Sequence, residues 1–176
     1  QWPVAEDKIA PRVVEKRNVF IVNSMMRDVI TRGTAYRQLS NSRSKLLHRD
    51  DIGGKTGTTN DAKDAWFSGF NGDYVATAWV GFADYSISLG SREYGGKAAL
   101  PIWQKFMETA LAGKPSNKLD QPEGIVTARI DPKTGLLANS QTENARFEIF
   151  RSEFLPKKAP ENQLGDDKEN NLDDIF

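Results

Sequence analysis

The sequence predicts an α+β fold, an antiparallel sheet with flanking helices followed by a small β extension. Three observations predict it. Apolar residues recur at helical spacing in two separate stretches. Between these stretches, three runs rich in β-branched and aromatic residues follow one another, split by turn signals. Beyond a proline-bounded linker, a shorter strand-and-turn pattern precedes an acidic end.

The first helix is expected over 12–32. Val14, Ile21, Val22, Met25, Met26, Val29 and Ile30 recur at helical spacing, Pro11 sits near the first turn and Gly33 follows the end. The stripe Ile21/Met25/Val29 reads as core. Residues 33–50 are rich in Ser, Arg and Asn and read as a surface connection. Strands are expected at 52–59, 65–70 and 74–82, with Asn60-Asp61 and Asn71-Gly72 as the turns between them. On these strands Trp66 and Trp79 read as sheet-face core, with Trp66 also a candidate for lining a cleft. Residues 83–98 read as a loop.

A second helix is expected over 99–112, with Leu100, Trp103, Phe106, Met107 and Leu111 on its apolar face, Pro101 near its start and Gly113 past its end. Residues 124–138 read as a hairpin in which Ile125–Ile130 turns at 131–135 and pairs with Leu136-Leu137-Ala138, covered by Phe147, Ile149, Phe150 and Phe154. The expected organisation is a principal domain over 1–114, a linker and small β extension over 115–155, and a disordered acidic tail over 156–176.

Composition narrows the function. Basic and acidic residues balance at 24 each, which does not suggest a nucleic-acid surface. There is no cysteine, so disulfides and thiolate chemistry are excluded. His48 is the single histidine, which leaves no His-rich metal site and reads as a surface residue. No metal and no cofactor are expected. No apolar run reaches the roughly 20 residues that span a bilayer. The chain opens Gln1-Trp2-Pro3 without a signal peptide, which reads as a fragment or processed piece.

The chemistry concentrates in Gly53-Gly54-Lys55-Thr56-Gly57-Thr58-Thr59. A phosphate-binding P-loop would need glycine at position 49, where Arg49 stands, and a following helix where the residues favour strand. A Lys-Thr-Gly strand of the penicillin-recognising serine enzymes fits better. It brings an ammonium to a strand edge, two hydroxyls at i and i+2 on one face, a glycine that leaves space, and an amide for a developing oxyanion. The triplet alone is weak: Lys133-Thr134-Gly135 repeats it, and after Asp131-Pro132 reads as a turn. Asp50-Asp51 reads as a solvated loop.

The longer context decides. Asp51-Ile52-Gly53 through Asn60, then Asp64-Ala65-Trp66-Phe67-Ser68-Gly69-Phe70 and Trp79-Val80-Gly81-Phe82, resembles the bifunctional class A penicillin-binding proteins, nearest to the 1A type of Gram-negative bacteria. Residues 11–14, 25–35 and 124–138 extend the resemblance to about 8–140. It implies part of a transpeptidase fold of the serine β-lactamase type, and peptidoglycan cross-linking through an acyl-serine intermediate. Lys55 and Thr58 would be catalytic, and Thr56, Gly57, Thr58 and Thr59 would contact substrate. Peptidoglycan stem peptides and β-lactams are the implied partners, with other cell-wall synthesis proteins possible. The implied location is the periplasmic face of the inner membrane. Full-length members also carry a glycosyltransferase domain and a membrane anchor, neither of which is in this sequence.

The family also needs Ser-x-x-Lys and Ser-x-Asn upstream of Lys-Thr-Gly. Ser42-Arg43-Ser44-Lys45 fits the first only on paper, ten residues before Lys55, and Ser-x-Asn is absent. The chain therefore reads as a piece without its nucleophile and inactive alone. Two alternatives stand beside this reading. One is a non-catalytic cell-wall interaction module using the extension and tail. The other is a D,D-carboxypeptidase or serine β-lactamase, in which water replaces the acceptor amine.

Overall fold

The computed structural model describes residues 11–159, and the chain divides into two compact units between Gln121 and Pro122. In the first unit a three-stranded antiparallel sheet runs in the order β1-β2-β3, with β1 Gly53–Thr58, β2 Asp64–Phe70 and β3 Val75–Gly81. The β1–β2 register sets Lys55 opposite Ser68 and Gly57 opposite Trp66. The β2–β3 register sets Trp66 opposite Trp79 and Ser68 opposite Thr77. Asn71 closes the second hairpin, its Oδ1 accepting from Tyr74 N–H at 2.8 Å and Asp73 N–H at 3.2 Å.

Alternation assigns the two sheet faces. Ala65, Phe67 and Gly69 of β2 point to one face, where helix α4, Leu100–Ala110, lays Trp103 against Phe67 with ring centroids 4.7 Å apart. A Cβ on Gly69 would lie 2.3 Å from the Trp103 ring. Gly69→Ala should therefore cost about 1–3 kcal/mol of stability through overpacking; denaturant unfolding checks this, and an unchanged midpoint would contradict it. Helix α1, Lys16–Thr31, lies on the opposite face, since a Cβ on Gly53 would meet Met26 Cβ at 3.3 Å.

The helix-flanked antiparallel sheet expected from sequence is what the chain forms, with corrections of detail. Helix α1 starts at Lys16 rather than residue 12, since Val13 and Val14 are exposed and an earlier turn would gain little burial. Its expected core stripe holds only in part. Val29 packs against the core beside the buried Ile30, but Met25 is 62% exposed, because α1 carries more apolar surface than the sheet covers. An open apolar trough of about 450 Å³ remains between Val19, Val22, Met26 and Phe70.

The polar stretch 33–50 is not a mere surface connection. It folds as α2, Tyr36–Asn41, and a 3-10 turn, Lys45–His48, and buries Ala35, Leu39 and Leu46. The expected loop 83–98 ends in a helical turn, α3, Gly95–Ala98.

In the second unit, β4 Ile125–Ile130 pairs antiparallel with β5 Arg146–Arg151, setting Thr127 opposite Ile149. The expected hairpin partner was 136–138. Of that segment only Leu137 bridges Ile130. Phe147, Ile149 and Phe150, expected to cover the hairpin, lie instead in its second strand, because Arg146–Arg151 offers a full six-residue ladder, and Phe154 lies exposed in the turn that follows. Lys133-Thr134-Gly135 forms the turn, with Asp131 accepting from Lys133 N–H at 2.9 Å and Gly135 at φ +72°. Most of the expected tail, 160–176, lies outside the described residues.

Candidate functional site

Strand β1 is an edge strand, and its backbone directions follow from one bond. Thr59 N–H donates to Asp64 O in β2 at 3.2 Å. By alternation the amides of Gly57 and Lys55 also face β2, whereas those of Thr56 and Thr58 face the open edge. Lys55 Nζ reaches around to this edge and donates to Thr56 O at 2.8 Å. An ammonium and the Thr58 amide thus share the unpaired side of one strand.

The side chains straddle that edge. Lys55 and Gly57 belong to the face of Trp66 and Ser68, and Thr56 and Thr58 to the face of Phe67 and Ala65. Thr58 Oγ1 accepts from Gly95 N–H at 3.1 Å, leaving its own hydrogen to donate elsewhere. That bond requires α3 to begin on glycine, since a Cβ there would sit 2.2 Å from Trp66 O and 2.7 Å from Gly57 O. The Thr59 hydroxyl accepts from Asp64 N–H at 2.8 Å, closing the β1–β2 connection.

Two neighbours were missed by sequence reasoning, Gly95 and Thr34. Thr34, on the turn between α1 and α2, holds its Oγ1 3.5 Å from Thr56 Oγ1. It lies 22 residues upstream in a stretch that reads only as polar; the spacing offers no signal for it.

The tryptophans are corrected. Trp66 and Trp79 are 40% and 46% exposed, and Phe67 takes the core position between them in sequence. Their ring centroids stand 6.0 Å apart, and Trp79 Nε1 donates to Asp64 Oδ1 at 2.8 Å. Alternation is the reason: even-numbered β2 residues face away from α4. Ser68 and Thr77 join hydroxyls at 2.9 Å on this same exposed face, beside Lys55.

The Ser42-x-x-Lys45 pattern is turned elsewhere. Ser42 Oγ donates to Gln104 Oε1 at 3.1 Å and Ser44 Oγ to Glu108 Oε1 at 2.6 Å, both on α4. Ser44 is buried, and its Oγ also accepts from Leu46 N–H. His48 is exposed.

The solvated loop expected at Asp50-Asp51 is corrected, because only Asp50 is solvated. Asp50 is an exposed partner of Lys118 at 3.0 Å. Asp51 is buried just before β1. Its carboxylate accepts from Arg49 Nε at 2.9 Å and Nη2 at 2.7 Å, from Asn117 N–H at 2.8 Å and from Asn71 Nδ2 at 3.2 Å. Burial pushes the Asp51 carboxyl up, but Arg49, the Asn117 amide and Asn71 together hold it below its ordinary value. Arg49 also donates to the carbonyls of Lys114 and Pro115 at 2.8 and 2.9 Å. This knot fixes the entry into β1.

Comparisons with known proteins agree on one group. Residues 121–160 match the family described as penicillin-binding protein 1A, C-terminal domain. Penicillin-binding protein 1A of Pseudomonas aeruginosa is 50% identical over 152 residues, 86% of this chain and 18% of that protein. That of Vibrio cholerae is 39% identical over 170 residues, 86% of this chain and 21% of that protein. The crystal structure of the Haemophilus influenzae penicillin-binding protein 1A aligns with a TM-score of 0.74 at 39% identity, covering 86% of this chain and 22% of that one. The chain spans about a fifth of the length of these relatives. Among the described residues, no helix is long and apolar enough to cross a membrane.

Proposed function

Because this chain belongs to the penicillin-binding protein 1A family, whose C-terminal region it matches, we propose that its β1 edge is one wall of a peptidoglycan D,D-transpeptidase site. The observation that carries this reading is the meeting of the Lys55 ammonium and the Thr58 amide on the unpaired edge of β1, with the Thr56 and Thr58 hydroxyls beside them.

A serine hydroxyl from outside this chain attacks the carbonyl between the two D-alanines of a stem peptide. The carbonyl oxygen gains negative charge and accepts from Thr58 N–H. Lys55 adds a positive charge at the same edge and assists proton transfer as the terminal D-alanine leaves. The Thr56 and Thr58 hydroxyls donate to the C-terminal carboxylate. Gly57 carries no side chain toward the reacting carbonyl, and Thr59 serves by closing the turn that shapes the wall. An amine of a neighbouring stem then takes the acyl group, releasing the serine and forming the cross-link. β-Lactams enter by the same acylation. The site operates at the periplasmic face of the inner membrane.

Fluorescent penicillin tests the division of labour. The chain alone should form no covalent adduct, because the wall has no acyl acceptor. An adduct that disappears in Ser42→Ala or Ser44→Ala would overturn the reading. A chimera carrying residues 11–159 in place of the matched region of the Pseudomonas aeruginosa relative should be labelled; an unlabelled but folded chimera would count against the wall.

A further inference from the structure

The second unit holds a cavity of about 760 Å³, lined by Arg129 of β4, by 137–141 and by Lys158 and Ala159. Its walls are joined through the backbone. Ala138 N–H donates to Arg129 O at 2.9 Å, Leu137 N–H to Lys157 O at 2.9 Å, and Ala159 N–H to Leu137 O at 3.1 Å. The turn at its rim is closed by its own groups, with Asn139 Oδ1 accepting from Gln141 N–H and from Thr142 Oγ1, each at 3.0 Å. Three separate chain segments are thereby held in fixed relation before any ligand arrives.

The lining carries two cations and no carboxylate. Among the described residues neither Arg129 nor Lys158 is in an ion pair. The guanidinium of Arg129 makes one long bond, 3.5 Å to Thr142 O, which leaves most of its donors unused. Glu148 of β5 stands opposite Ala128, so it points to the other face of the two-stranded sheet from Arg129. Ser140 and Gln141 add a hydroxyl and a carboxamide to the lining.

We propose that this cavity binds a carboxylate-bearing peptide. The Arg129 fork suits a carboxylate bidentately, and Lys158 adds a point charge from the facing wall. Ser140 and Gln141 can bond the amide groups beside that carboxylate. The volume falls within the roughly 300–1,000 Å³ of small-ligand sites. A polyphosphate ligand would call for a broad basic field, whereas this chain balances 24 basic against 24 acidic residues. Two sources share the carboxylate chemistry. One is a separate peptide. The other is this chain beyond Ala159, which carries Glu161, Asp166, Asp167, Glu169, Asp173 and Asp174 against Lys168.

Nitrogen-edited NMR of the full chain, titrated with N-acetylglutamate and in parallel with inorganic phosphate, tests the proposal. N-acetylglutamate should give saturable shifts at the Ser140 and Gln141 amides and at Arg129 Nε. Removing both cations, Arg129→Gln with Lys158→Gln, should weaken binding about tenfold or more. A second full chain with the six C-terminal carboxylates neutralised distinguishes the sources. Tighter binding there assigns the cavity to the chain's own acidic segment; equal binding assigns it to a separate peptide. The proposal is overturned if neither chain gives a saturable shift, if the double variant binds equally well, or if phosphate binds as tightly as N-acetylglutamate.

Discussion

Lys55→Ala, placed in the chimera with the Pseudomonas aeruginosa relative, should slow acylation by fluorescent penicillin about 10²–10⁴-fold, the range expected for losing a positioned proton-transfer group. The reasoning is geometric. Lys55 Nζ is held at the open edge of β1 by Thr56 O, on the side of the strand to which Thr58 N–H points. Deleting the ammonium removes charge where the oxyanion forms and leaves the amide to act alone. Lys55→Arg separates the two contributions. Arginine keeps the charge but cannot lose its proton in this pH range. It should recover part of the electrostatic gain and none of the proton transfer, so its rate should fall between wild type and alanine. The side chain is exposed, and thermal unfolding of either variant should stay within about 0.5 kcal/mol of the parent. A loss of rate smaller than tenfold in a folded Lys55→Ala chimera would remove Lys55 from the mechanism.

The parts legible in the sequence were those governed by local rules. Strands β1 to β3 announced themselves through β-branched or aromatic runs and the turns at Asn60 and Asn71, and helix α4 through its apolar spacing between Pro101 and Gly113. What sequence could not carry was decided by which face meets which neighbour. Phe67 and Trp66 are adjacent and both aromatic, yet α4 covers only one face of the sheet, so one is core and the other exposed. Leu39 and Leu46 sit in a polar stretch but find the core through α2 and the following turn. The β4 partner was misread because 136–138 is nearer in sequence, while the longer ladder lies at 146–151. In the candidate site, Lys55 through Thr59 was visible as a motif. Thr34 and Gly95 were not, since they join the wall from 22 and 37 residues away.

Asp51 should prove the costliest polar residue to replace, although Asp50 beside it looks equivalent in sequence. Its carboxylate is fully enclosed and accepts four hydrogen bonds, two of them from Arg49. Asp51→Ala leaves the Arg49 guanidinium and the Asn117 amide facing an empty acceptor position. Breaking a buried pair in this way costs about 3–5 kcal/mol, out of roughly 5–15 kcal/mol for a whole domain. Asp51→Asn should be nearly as damaging, because its NH₂ group would meet donors where an oxygen now accepts. Asp50→Asn supplies the contrast. Its partner Lys118 and its own side chain are both largely in solvent, so the loss should stay at or below about 1 kcal/mol.

The pH dependence has a definite sign. The Asp51 carboxyl is held below its ordinary value in the folded chain. Below the usual carboxylate value of about 3.9 the unfolded chain binds a proton that the folded chain resists. The stabilisation is therefore fully present above that pH and is lost as the pH falls through the folded value. Thermal melts of the wild type should drop steeply on acidification below about pH 4, and the drop should be shallower in Asp51→Asn, which has no carboxyl to titrate. Parallel acid profiles for the two chains, or equal losses for the Asp50 and Asp51 variants, would show that the knot at the entry to β1 does not anchor that strand.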